Sequence, residues 1–102
     1  IHMRCTSVEK FFNNFAQKTK LSIILTLKEK PLSVTQISER INEEQSKVSH
    51  SLKKLAECNI LKVNQQGKQR IYSLNKNTVL PLLNLVEQHV TQHCKKCQKK
   101  SI

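Results

Sequence analysis

The residues best equipped for chemistry lie near the end of the chain, in the stretch "HVTQHCKKCQKK". His89, His93, Cys94 and Cys97 bring two imidazoles and two thiols into nine residues. On a helix, His89 and His93 stand four apart, as do His93 and Cys97, while Cys94 and Cys97 stand three apart. Each of these pairs then shares a helix face and is able to chelate one ion. Thiolate together with imidazole suits zinc or another thiophilic metal. The neighbouring Lys95, Lys96, Lys99 and Lys100 favour the thiolate form. Three readings stay open. The first is a metal site of His93, Cys94 and Cys97, with His89, Cys5 or a partner chain supplying a fourth ligand. The second is a Cys94–Cys97 disulfide switch, which helical geometry resists unless the end unwinds. In the third the stretch is an inert basic helix end, with His93 and Cys97 as fillers.

What such a cluster serves depends on the elements that carry it. The chain has 102 residues, the size of one domain. Eighteen Lys and Arg oppose seven acidic residues, a formal net charge of +11, which favours nucleic acid or another anionic surface as partner. Aspartate is absent and Gly67 is the only glycine, so phosphate-cradling glycine loops are excluded. The seven glutamates are scattered among polar, helical-looking positions, and no enzymatic constellation emerges. No apolar run reaches membrane-spanning length and no secretory leader is recognisable, so a cytoplasmic protein is expected. Its four cysteines are therefore expected to be thiols or metal ligands rather than a disulfide framework. Residues 1–3 read as a cloning remnant, with His2 discounted as a ligand.

Hydrophobic periodicity predicts mostly helices. Val8, Phe11, Phe12, Phe15 and Ala16 have helical spacing behind Ser7 as a cap. Leu21, Ile23, Ile24, Leu25 and Leu27 form a denser, more buried helix, which Pro31 brings to an end. In "SVTQISERI", Val34, Ile37 and Ile41 predict a short helix capped by Ser33 or Thr35. After a polar break, Val48, Leu52, Leu55 and Ala56 predict a second helix, whose other face carries Lys47, Ser49, His50, Lys53 and Lys54. Two short helices with this polarity and a tight polar turn describe a helix-turn-helix. Two β-rich runs follow around Gln66–Gly67, a hairpin. Asn59 is expected to take the left-handed conformation after the helix. A last helix, at about 77–98, starts from Asn77 or Thr78 and tolerates Pro81 in its first turn. The expected fold is mainly α with a small β-hairpin, in the order α-α-α-α-β-β-α, a single winged helix-turn-helix domain over 1–102.

The stretch "VSHSLKKLAECNILKVNQQGKQRIYSL" resembles the ArsR/SmtB family of dimeric repressors. Ser49, Leu52, Leu55, Ile60, Leu61, Gly67, Tyr72 and Leu74 match its recognition helix and wing, and with the upstream helices the resemblance covers about Phe11 to Val90. Ser51 and Asn59 stand where the family usually has His and Gly, and Glu44 where Ser commonly caps the recognition helix. The resemblance implies a homodimer with an interface built from the first and last helices. It also implies metal sensing in many members. However, "SVTQISERI" lacks Cys, and the last helix lacks the family's spaced carboxylate and histidine pattern, so any site here is differently built.

These readings give a specific DNA interface. Gln45, Ser46, Lys47, Ser49 and His50 are placed at the end of a recognition helix (about 45–58) that enters the major groove. Lys53 and Lys54, with Lys68 and Arg70 from a wing at about 60–74, are placed along the phosphates. Leu83, Val86 and Val90 continue a seam of alternating steps of four and three, and with Val8, Phe11 and Phe15 they are the expected dimer surface. The expected function is a sequence-specific, homodimeric DNA-binding repressor. The alternatives are a DNA- or RNA-coating protein acting by charge alone, and a basic module that binds an acidic protein. Cys58 is expected to be a buried small residue.

Overall fold

A computed structural model describes residues 7–93. Five helices and three short strands follow one another as α1 (Val8–Ala16), α2 (Lys18–Leu27), β1 (Leu32–Ser33), α3 (Val34–Ile41), α4 (Gln45–Glu57), β2 (Leu61–Gln66), β3 (Gln69–Leu74) and α5 (Val79–His93). This is a winged helix with one element beyond the expected order. The two-residue β1 pairs antiparallel with β3, Leu32 opposite Tyr72 and Ser33 opposite Ile71, so the sheet runs β1-β3-β2. A strand that short has no periodicity from which to be read.

Local chemistry explains the boundaries. Ser7 Oγ accepts from Lys10 N at 3.2 Å and starts α1. Gln17 adopts extended backbone (φ −89°, ψ 130°), ending α1 and starting α2 in a new direction. Ser33 and Gln36 form a reciprocal capping box at α3: Gln36 N donates to Ser33 Oγ at 3.3 Å and Ser33 N donates to Gln36 Oε1 at 2.9 Å. Asn42 (φ 58°) and Asn59 (φ 57°) close α3 and α4 in the left-handed conformation. Behind α4, Ile60 N reaches Leu55 O at 3.1 Å and Asn59 N reaches Ala56 O at 3.0 Å, satisfying two terminal carbonyls. Gly67, at φ 62°, takes the first central position of the β2–β3 turn, where a type II′ hairpin requires glycine.

The core gathers Ile23, Ile24 and Leu27 of α2, Ile37 of α3, Val48, Leu52 and Leu55 of α4, then Ile60, Leu61, Tyr72, Leu74, Val79 and Leu83. Each fully buried aliphatic side chain here contributes about 1.5–3 kcal/mol before entropy is counted. Phe11 and Phe15 pack partly buried on this core and hold α1 against α2. The helix α5 begins at Val79, so Thr78 holds the cap position, and Asn75 supports the turn before it. Asn75 Oδ1 accepts from Asn77 N and its Nδ2 donates to Asn59 O, both at 2.9 Å, tying the end of α4 to the beginning of α5.

Two expectations need correction. Leu83, assigned from its spacing to a dimer seam, is only 5% exposed and belongs to the subunit's own core. Val79 and Leu83 fold onto the winged helix, and only the later part of α5 turns its apolar residues outward, Leu85 at 64% and Val86 at 43% exposed. Cys58 is half-buried but disulfide-bonded, not a free thiol. The chain's other cysteines, Cys5, Cys94 and Cys97, lie outside the described residues. No helix among the described residues is long and apolar enough to cross a membrane.

Candidate nucleic-acid interface

At 100° per residue, α4 divides into a core face and three others. Val48, Leu52 and Leu55 are fully buried. Ser46, Ser49, His50 and Lys53 are exposed on the opposite side. Lys47 and Lys54 lie on the flank towards α2, Lys54 half-buried there, while Ser49, Lys53 and Ala56 border the sheet. The cationic and hydroxyl face is therefore not covered by the subunit itself. Gln45 is exposed at the first turn, its Nε2 3.4 Å from Thr35 Oγ1 of α3. No side chain caps α4 at Glu44. Glu44 Oε1 instead accepts from Ser46 Oγ at 3.2 Å, and Glu43 pairs with Lys47 at 3.5 Å, four residues on. These carboxylates neutralise part of the positive charge at the helix tip.

The wing stands beside this helix. Residues 62–70 are exposed throughout, with Lys68 in the turn and Arg70 on β3. Gln65 Nε2 donates to Gly67 O at 3.0 Å across the tip. A cleft of about 480 Å³ joins the wing to the start of α3, lined by Thr35, Lys68 and Arg70 among others. The sequence does not reveal this proximity, because the β1–β3 pairing that creates it is only two residues long. A second hollow, of about 700 Å³, separates Ser49 and Lys53 of α4 from Val63 and Arg70 of the sheet. Ser49 and Lys53 thus border the same hollow as Arg70, whereas Lys47, His50 and Lys54 border the opposite flank towards α2.

The terminal cluster is only partly within view. His89 and His93 are exposed on α5 with ring centroids 4.9 Å apart, confirming that the two imidazoles share a face. Cys94 and Cys97 lie outside the described residues. Among the described residues, no three His, Cys or Glu side chains gather as metal ligands do.

Helix-turn-helix plus a basic hairpin defines the winged-helix class, and comparisons with known proteins place the chain within it. Residues 17–63 match the profile of the bacterial regulatory proteins of the arsR family. The HTH-type transcriptional regulator NmtR of Mycobacterium tuberculosis is 36% identical over 69 residues, which are 68% of this chain and 58% of that protein. The chain thus matches little more than half the length of this relative. The crystal structure of the transcriptional repressor PagR of Bacillus anthracis is 32% identical, with a TM-score of 0.66 over 76% of this chain and 90% of that one. The homodimeric winged helix-turn-helix DNA-binding domain of a possible ArsR-family regulator from Mycobacterium bovis superimposes with a TM-score of 0.76. It is 19% identical and the match covers 82% of this chain and 78% of that one, a likeness of fold. The chain belongs to the arsR family, a family of transcriptional regulators and not of enzymes.

Proposed function

We propose that the protein is a homodimeric, sequence-specific DNA-binding repressor, its 102 residues acting as one winged-helix unit. The observation that carries this reading is the uncovered face of α4, where Ser46, Ser49, His50 and Lys53 are exposed and Ser49 and Lys53 border Arg70 of a fully exposed basic wing. A helix of this diameter fits the major groove, and Gln45, Ser46, Lys47, Ser49 and His50 occupy the end that enters it. Lys53 follows α4 along the groove, and Lys68 and Arg70 meet phosphates from the wing. PagR being a repressor and the Mycobacterium bovis domain being homodimeric both support the assignment.

Dimerisation uses α1 and the outer half of α5. Val8, Phe12, Leu85 and Val86 are large apolar side chains left exposed, and Phe11, Phe15 and Val90 are partly buried beside them in sequence. The experiment is a binding series on duplexes selected from a randomised pool. Lys68→Ala weakens binding to all sequences by a similar factor and lowers the salt slope by about one. Gln45→Ala relaxes preference at one base position, losing about 1–3 kcal/mol of discrimination there. An unchanged preference in Gln45→Ala counts against the groove docking.

His89, His93, Cys94 and Cys97 are proposed to hold zinc or another thiophilic metal at the end of the dimerisation helix. The approach of the two imidazoles supports this, as does the soft donor set. Elemental analysis of untagged protein tests it. Stoichiometric zinc that is lost in Cys94→Ser/Cys97→Ser supports the site, and a metal-free folded dimer removes it.

A further inference from the structure

On the side of α4 away from the sheet, the first turn of α2 and one flank of α4 enclose an open cavity of about 460 Å³. Lys18, Thr19 and Lys20 line it from α2, and Lys47, His50, Ser51 and Lys54 from α4. Four lysines line this space and no carboxylate does, although Glu43 pairs with Lys47 at 3.5 Å from outside. Two hydroxyl residues of the wall are almost buried, Ser51 at 5% and Thr19 at 9% exposed. Neither hydroxyl has a hydrogen bond to the described residues. The cavity also receives the amino end of a ten-residue helix, and its cap residue, Gln17, offers no side-chain bond to the free amides.

We infer that this cavity seats a backbone phosphate of duplex DNA, on the strand opposite the one followed by the wing. The inference rests on the DNA-binding reading and extends it to α2, which neither the helix-turn-helix nor the wing includes. A helix that fills the major groove has one phosphate backbone along each flank. On one flank of α4, Lys68 and Arg70 of the wing serve that purpose. The other flank has no wing, and the cavity supplies its cations and hydroxyl donors. His50 and Lys47 belong both to the cavity and to the exposed end of α4, so an anion bound here lies at the rim of the groove rather than apart from it. Duplex DNA is therefore the source of the anion, and a free phosphate is not.

Lys20 Nζ donates to Asn14 Oδ1 at 3.1 Å, yet burial, and secondarily the nearby Lys54, holds its pKa below the usual lysine value. A phosphate between Lys20 and Lys54 relieves that repulsion. Lys20→Gln is accordingly expected to leave the free protein at least as stable to heat while weakening its complex. Lys18→Ala, at an exposed position, serves as the variant with no bearing on folding.

The test uses the full chain and a selected duplex in which single phosphates are replaced by neutral methylphosphonates. In the wild type, one replacement per half-site on the strand away from the wing weakens binding. In Lys18→Ala/Lys20→Gln that replacement has no further effect, and the salt slope is shallower by about one for each ammonium removed per subunit. Lys68→Ala keeps the wild-type response at this phosphate, since it acts on the other strand. Should Lys68→Ala weaken binding while the α2 variants keep both the wild-type slope and the wild-type methylphosphonate pattern, the inference fails and the DNA reading stands. If the wild type shows no binding to any duplex, both fail.

Discussion

Asn59 and Gly67 hold left-handed backbone at the two ends of β2, one closing the recognition helix and the other turning the wing. Asn59 is costly to replace by a residue with an ordinary Cβ, because the left-handed region costs L-residues about 1–2 kcal/mol. Asn59→Ala is therefore expected to lower unfolding free energy by about 1 kcal/mol, and Asn59→Gly to match or exceed wild type, in chemical denaturation. Its carbonyl also accepts from Asn75, so the angle of α5 depends on the same corner. Leu52 and Leu55, fully buried under the exposed polar side of α4, have a different role. Leu52→Ala opens a cavity and is expected to cost about 2–5 kcal/mol, measured as a loss of folded protein rather than a change in base preference.

At the scale of elements, α5 has two halves. Its first half is part of the subunit core through Val79 and Leu83, while Leu85 and Val86 remain exposed and Lys28 pairs with Glu87 alongside them. Leu85→Glu/Val86→Glu is expected to convert dimer to monomer in sedimentation while leaving the helical circular dichroism intact. A dimer that persists unchanged sinks the proposed interface. Much of this layout was legible in the residues. The spacing of Val48, Leu52 and Leu55 gave α4 its inner face, Ser33 gave α3 its start, and Gly67 located the wing turn. Other features were not. The recurrence Val79, Leu83, Val86, Val90 has the same period whether a residue faces its own core or a partner, so spacing alone assigns Leu83 to the wrong side. The pairing of Leu32 with Tyr72 depends on tertiary contact between segments forty residues apart, and nothing local signals it. The α2 cavity is of the same kind: Lys18 and Lys20 are ordinary lysines until folding brings them beside Lys47 and Lys54. The disulfide at Cys58 likewise departs from the expectation that the cysteines are thiols or metal ligands.

For the whole molecule the governing quantity is charge. In the proposed dimer the formal charge is twice +11, and neutralising DNA phosphates with so many cations releases counterions. Charge alone produces binding that is tight, salt-sensitive and indifferent to sequence. The uncovered polar end of α4 adds what charge lacks, side chains able to pair with base edges. The most direct measurement is affinity for a selected duplex and for a random duplex of equal length, titrated across ionic strength. Preference for the selected duplex by about a thousandfold or more, persisting as both affinities fall with salt, is the predicted result. Equal affinity for the two at every salt concentration contradicts it and leaves a protein that coats nucleic acid by charge.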